Sequence, residues 1–174
     1  ETNFFGPLNV IRAALPMLRA QKSGHIVNIS AAAAISNYPG FGIYGGAKAA
    51  LEMMSESLRL ELAALGIQVT LVQPGPFRTD FIARGLEKAA GEIADYAGSA
   101  RKFATFLETV NGKQPGDPVR AAEAIVKMVL DGQAPLRLPL GKYVVKKMRD
   151  KAAALTRIFF TTYLPSGSRR ASMW

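Results

Sequence analysis

The 174-residue chain contains no cysteine and a single histidine, His25. These absences exclude disulfides, a thiolate nucleophile, cysteine-ligated zinc or iron–sulfur clusters, and any site that needs two histidine ligands. Long apolar runs are lacking too. None approaches the roughly 20 residues of a membrane-spanning helix. No membrane partner is expected, and the expected location is cytoplasmic. There is no initiating methionine either. The chain opens on Glu1 in mid-pattern, and a portion of a longer protein is expected. Acidic residues are scarce at one end. From Arg137 to Trp174 nine Lys/Arg accompany one acid, Asp150, whereas the preceding residues hold 13 basic and 12 acidic side chains. The net charge of +9 is therefore a property of the tail. A solvated basic helix face is preferred to a nucleic-acid or membrane patch, and no nucleic-acid partner is expected.

What is present suits a globular domain with a sizeable core: 49% hydrophobic and 20% charged residues. Over Phe4–Gln21, Leu8, Ile11, Leu15 and Leu18 recur at three and four, the stripe of an amphipathic helix. Pro7 suits its first turn; Pro16 should kink or restart it. Ser23-Gly24 ends it. His25–Ser30 is a short β-branched run and reads as a strand. A loop with Asn37, Pro39, Gly40 and Gly42 follows. From about Ile43 to Leu65 the series Leu51, Met54, Leu58, Leu62, Leu65 marks the strongest helix, with Gly66 as its C-cap. Ile67–Gln73 is a second strand, rich in the residues of a buried parallel sheet. Strand, helix and strand form a βαβ unit with an expected right-handed crossover. Residues 80–115 read as irregular with helical pieces. Asp117 caps a helix with Pro118 at its first position, running to Gly132. Leu136–Leu140 reads as a last strand, and Lys142–Ile158 as a basic helix. Phe159–Trp174 shows no period.

The expected fold is thus an α/β, Rossmann-type doubly wound parallel sheet, of which the chain holds the C-terminal portion. Residues 1–158 would form a partial domain and 159–174 a basic tail. In such sheets ligands bind beyond the carboxyl ends of the strands. That points to Ser30–Tyr44 and Pro74–Phe81.

Gly40-Phe-Gly42-Ile-Tyr-Gly45 matches G-x-G-x-x-G but fails as a dinucleotide fingerprint. The motif must leave a strand directly, so that a helix N-terminus meets the pyrophosphate, and nine residues separate Ser30 from Gly40. The overlapping pair Tyr44 and Lys48 is more informative. Four residues apart on a helix, they share one face. An ammonium near a phenol favours the phenolate, which would fit Tyr44 as a general acid or base for a carbonyl or alcohol oxygen. On spacing alone, a surface Tyr–Lys pair is the better explanation, since Y-x-x-x-K is common by chance.

The surroundings add context. Asn3-Phe-Phe-Gly6, Leu15-Pro16, Gly24-His-Ile-Val-Asn-Ile-Ser30, Tyr44-Gly-Gly-Ala-Lys48, Gly66-Ile-Gln-Val and Pro74-Gly-Pro-Phe-Arg-Thr79 occur in this order. Together they resemble the short-chain dehydrogenase/reductase family over residues 3 to about 82, and more loosely to about Leu155. The resemblance implies a nicotinamide-dependent oxidoreductase, using NAD or NADP, that acts on a small-molecule alcohol or carbonyl compound. It implies that Tyr44 transfers the proton, that Lys48 lowers the pKa of Tyr44 and binds the nicotinamide ribose, and that Asn3 orders a water behind Lys48. It also places Pro74 and Gly75 beside the nicotinamide and the Thr79 hydroxyl on its carboxamide. The cofactor carries the hydride; the protein orients it and moves the proton. Family members often pair through helices matching Leu8–Leu18 and Leu51–Leu65, so a homo-oligomer is expected.

Two departures from the family pattern stand out. The usual catalytic serine position holds Ala31. Neighbours in a strand face opposite ways, so Ser30 substitutes only if the strand end bulges. The glycine-rich phosphate loop would lie upstream of residue 1, in on the order of 100 further residues, leaving the strand at Ile26–Ser30 with an apolar, unpaired edge. These departures motivate a second reading, a family-like binding or interaction protein with impaired catalysis. The resemblance makes Phe81–Val110 the substrate lid, with Phe81, Ile82, Leu86, Tyr96, Phe103, Phe106 and Leu107 as its apolar residues; packing of the lid onto the sheet accounts for them more simply than substrate contact. Arg169-Arg170-Ala171-Ser172 resembles a basic-directed kinase site, a pattern that arises readily in a basic tail, and the final Ser172-Met173-Trp174 is not a peroxisomal address.

Overall fold

The computed structural model describes residues 1–87, 89, 91 and 93–163. Three parallel strands, β1 (Gly24–Ile29), β2 (Ile67–Pro74) and β3 (Arg137–Leu140), form one sheet in the order β1-β2-β3. Around it lie α1 (Phe5–Gln21), a short α2 (Ala32–Ile35), α3 (Gly42–Leu62), α4 (Lys102–Val110), α5 (Pro118–Leu130) and α6 (Lys142–Tyr163). Central β2 has neighbours on both sides, and all of its residues except Gln68 and Pro74 are buried. Its near-continuous apolar run is the signature of a parallel strand covered on both faces.

The core grows from the helical stripes read in the sequence. Ile11 of α1 meets Leu58 and Leu62 of α3 and Ile67 and Val69 of β2, with Leu15, Leu18, Ile26, Met54 and Leu65 packed around them. Gly66 reverses the chain between α3 and β2. Its φ is 70°, and a Cβ there would stand 2.5 Å from the carbonyl oxygen of Lys22, so both backbone conformation and space demand glycine.

Three expectations shift. Pro16 lies inside an unbroken α1. Residues 32–35, expected as loop, form one helical turn whose Ala32 and Ala33 are buried. An all-alanine turn with an isoleucine carries no amphipathic period, which hid it. The basic helix does not stop at Ile158 but continues to Tyr163, so a boundary drawn at 158 falls inside α6. The lid segment adds π-helical turns at Phe81–Gly85 and Ala97–Arg101 before α4. The kinase-like Arg169–Ser172 lies outside the described residues.

Candidate functional site

Beyond the carboxyl ends of β1 and β2 opens a cavity of about 830 Å³. Asn3, Ser30, Tyr44, Lys48, Pro74, Gly75 and Thr79 all line it, together with Ala31. The segments flagged in the sequence therefore converge on one site, as the strand ends of an open α/β sheet require. Tyr44 sits in the first turn of α3 and Lys48 one turn on. The Lys48 Nζ donates to the Ile29 carbonyl at 2.8 Å, which fastens α3 to the end of β1. Burial pushes the Tyr44 phenol above its ordinary value and the Lys48 ammonium below its own. Burial thus acts against the charged form of each group, and it dominates Tyr44 where a lowering by Lys48 was expected.

Ser30 is the residue whose setting differs most from its expected role. Its amide continues the ladder to the Val72 carbonyl at 2.7 Å, so the strand end does not bulge. Alternation then turns its side chain to the face shared with Asn28, toward α3. There the Ser30 hydroxyl donates to Glu52 Oε1 at 2.6 Å. The same oxygen accepts from Gln73 Nε2 at 2.8 Å, and Oε2 accepts from Arg137 Nε at 3.2 Å. Arg137 also pairs with Glu56. A buried carboxylate thus ties Ser30 just beyond β1, Gln73 near the end of β2 and Arg137 at the start of β3 to α3. Sequence reading missed this network. Glu52 is a charge on the inward side of the α3 stripe, next to Leu51, and that misplacement was the available signal.

Ala31, at the position where the resemblance implies a serine, is buried and lines the cavity. Thr79 Oγ1 accepts only a long bond from the Phe81 amide, 3.4 Å. Gly75 donates its N–H to Leu140 at 3.1 Å, and a Cβ there would lie 3.3 Å from Val144 of α6. Packing against α6 is thus one reason for glycine at 75. The G-x-G-x-x-G stretch opens α3 with α2 intervening after β1, and a Cβ on Gly45 would strike the Asn37 side chain at 2.4 Å. Its last glycine serves packing, in keeping with its rejection as a phosphate loop.

Of the lid residues, Phe81, Ile82, Phe103, Phe106 and Leu107 line the cavity; Leu86 and Tyr96 do not. The Tyr44 ring lies 5.5 Å from Phe41 and 5.6 Å from Phe81, and Phe103 stacks on Tyr38 at 5.0 Å. The N-terminus of α6 closes this side. Tyr143 and Tyr38 share a hydrogen bond of 2.7 Å, and the Lys147 Nζ sits 3.4 Å from the Tyr38 ring centroid, a cation–π contact. No group of three or more His, Asp or Glu side chains capable of holding a metal occurs among the described residues, and no helix among them is long and apolar enough to cross a membrane.

Comparison with known proteins agrees with this architecture. A family model described as short chain dehydrogenase matches residues 1–90. An oxidoreductase of Passalora fulva, claN, is 52% identical over 92 residues, 53% of this chain and 42% of that protein. A crystal structure of a short-chain dehydrogenase from Streptomyces avermitilis superposes with a TM-score of 0.80 at 34% identity, covering 91% of this chain and 57% of that one. A short-chain dehydrogenase of Burkholderia cenocepacia, solved in complex with NADP, shares the fold with a TM-score of 0.63 at 24% identity, over 94% of this chain and 56% of that one. The chain spans about half the length of the curated relatives it matches. With the family model matching more than half of its residues and the sheet and strand-end cavity in place, this chain belongs to the short-chain dehydrogenase family.

Proposed function

We propose that this chain carries the proton-transfer centre of an NAD(P)-dependent oxidoreductase acting on an alcohol or carbonyl compound. The observation that carries the reading is the joint placement of Tyr44, Lys48, Asn3, Pro74, Gly75 and Thr79 around one cavity at the strand ends. The donor set suits the nicotinamide-ribose end of the cofactor: an ammonium, a phenol and a hydroxyl against the apolar wall of Ile29, Val72 and Pro74. When bound, the nicotinamide supplies or accepts the hydride. Tyr44 donates its phenolic proton to the carbonyl oxygen in reduction and takes the alcohol proton in oxidation. Lys48, held by the Ile29 carbonyl, keeps positive charge beside the phenol and offers donors to the ribose. Asn3 completes the path from Lys48 to solvent, and Thr79 holds the carboxamide. Ser30 acts at one remove, through Glu52, by fixing the strand end. The outer faces of α1 and α3, which expose Val10, Met17, Met53 and Leu60, pair two copies of the chain.

The test is coupled turnover of NADH or NADPH with alcohols and ketones. Tyr44→Phe is expected to lower kcat by about 10²–10⁴; turnover that survives the change overturns the assignment.

One observation favours a second reading. With Ala31 at the family's serine position and the Ser30 hydroxyl engaged by Glu52, the site lacks a serine donor for the substrate oxygen. A loss of that size is on the order of 10²–10³ in rate, by analogy with an oxyanion donor. Ala31→Ser separates the readings. A strong rise from near-zero activity marks an impaired member of the family, and robust activity without the change excludes that reading.

A further inference from the structure

The cavity contains a polar group that the proton-transfer chemistry does not use. Gln114 lies in the connection between α4 and α5, lines the cavity and is 4% exposed. Its Oε1 is buried without a hydrogen-bond partner. The backbone that carries it is held firmly. Arg78 Nη1 donates to the Gln114 carbonyl at 2.8 Å, Gly116 forms an isolated bridge with Phe77, and Arg78 pairs with Asp117. The unpaired amide oxygen is thus part of a built wall.

The other polar side chains of this wall are accounted for. Ser30 is bound to Glu52, Lys48 to the Ile29 carbonyl, and Tyr38 and Tyr143 to each other. Asn3 and Thr79 belong to the cofactor end in the reading above, and Lys113 is exposed. Gln114 remains. A buried amide oxygen without a partner is destabilising, and a ligand bearing a matching donor removes that penalty. The rest of the surface around Tyr44 is aromatic: Phe41 and Phe81 flank its ring, and Phe103 and Phe106 extend the wall. At about 830 Å³ the cavity lies toward the upper end of those that enclose drug-sized ligands.

We propose that the substrate is a flat, largely aromatic ketone or alcohol with a hydroxyl group remote from the reacting carbon, and that Gln114 is the residue that reads this hydroxyl. A hydroxyl fits because it both donates and accepts. The terminal torsion of glutamine is soft and roughly two-fold, so either Oε1 or Nε2 can meet it. The reacting carbonyl at Tyr44 rests on the oxidoreductase reading; the hydroxyl preference does not.

Calorimetric titration of the protein with 4-acetylbiphenyl and its 3′- and 4′-hydroxy derivatives tests the proposal. A hydroxylated probe is expected to bind at least about tenfold tighter than the bare one, because a site built for a hydroxyl penalises its loss. Gln114→Met, close in length and shape, should bring the two within about twofold; Gln114→Leu serves the same purpose if the methionine variant does not fold. Failure of all probes to bind overturns the aromatic class. Equal affinities in the unaltered protein, or a preference that survives loss of the amide, overturn the role of Gln114. Turnover of the probes with NADH or NADPH is measured separately. A hydroxyl preference without turnover counts against the oxidoreductase reading alone, and turnover without the preference counts against Gln114 alone.

Discussion

At the scale of single residues, the site separates groups that do chemistry from groups that hold the frame. Ser30 and Tyr44 both border the cavity, yet Ser30 faces a buried carboxylate and Tyr44 faces the open space beside Phe41 and Phe81. Ser30→Ala is therefore expected to act mainly on stability. It removes a hydrogen bond to an ionised partner, worth about 1.5–3 kcal/mol, and should lower the urea midpoint while leaving kcat far less affected than Tyr44→Phe does. A kcat loss as deep as that of Tyr44→Phe would place the Ser30 hydroxyl in the reaction itself. His25 gives a pH signature. Its Nε2 lies 2.9 Å from Thr70 Oγ1, and burial, then the nearby Arg59 guanidinium, hold its pKa below 6.5. The unfolded chain binds the proton first, so stability present above about pH 6.5 is lost as the pH falls. Urea unfolding at pH 7.5 and 5.5 should show this loss, and His25→Gln should reduce it.

At the scale of elements, α5 shows how a cap positions the wall of a site. Asp117 Oδ1 accepts from the Val119 amide at 2.9 Å, and Pro118 occupies the first helical turn, as S/T/D-then-Pro starts favour. The same carboxylate lies 3.8 Å from Arg78, which in turn holds the Gln114 carbonyl. Asp117→Ala should cost about 1 kcal/mol through the lost cap, read as a lowered melting temperature. Asp117→Asn, which keeps the cap acceptor, should recover most of it. The cap, the α1 and α3 stripes and the two apolar strands were legible because each is a local pattern: a side chain meeting its own backbone, a period of 3.6, or a short apolar, β-branched run between turn residues. Helix α2 and the end of α6 were not legible. Four residues carry no period, and Phe159–Tyr163 is rich in aromatic and β-branched residues with no strong helix former.

At the scale of the whole molecule, the outer faces of α1 and α3 are the informative feature. Both helices bury one face in the core and show apolar side chains on the other: Val10 on α1 is 70% exposed and Leu60 on α3 80%. Self-association is the expected consequence. Light scattering after size exclusion should give a mass above 18.7 kDa that falls toward it when Val10→Glu and Leu60→Glu are combined. A monomer at all concentrations would remove the proposed pairing through α1 and α3.

The sequence by itself determined the elements whose signals are local: three parallel strands, the amphipathic helices between them, and the Tyr44–Lys48 pair on one helical face, with an ordered motif set that resembles one family. Tertiary structure alone decided where Ser30 points, because that depends on whether a strand end bulges and on a carboxylate 22 residues away. It alone decided that Gly45 and Gly75 make room for side chains of other segments. It alone brought Gln114 to the wall of a cavity 70 residues from Tyr44 in the chain. Backbone preference and hydrophobic period act over a few residues and can be read along a chain; the partner of a buried polar group is chosen by packing and has no trace in its neighbours.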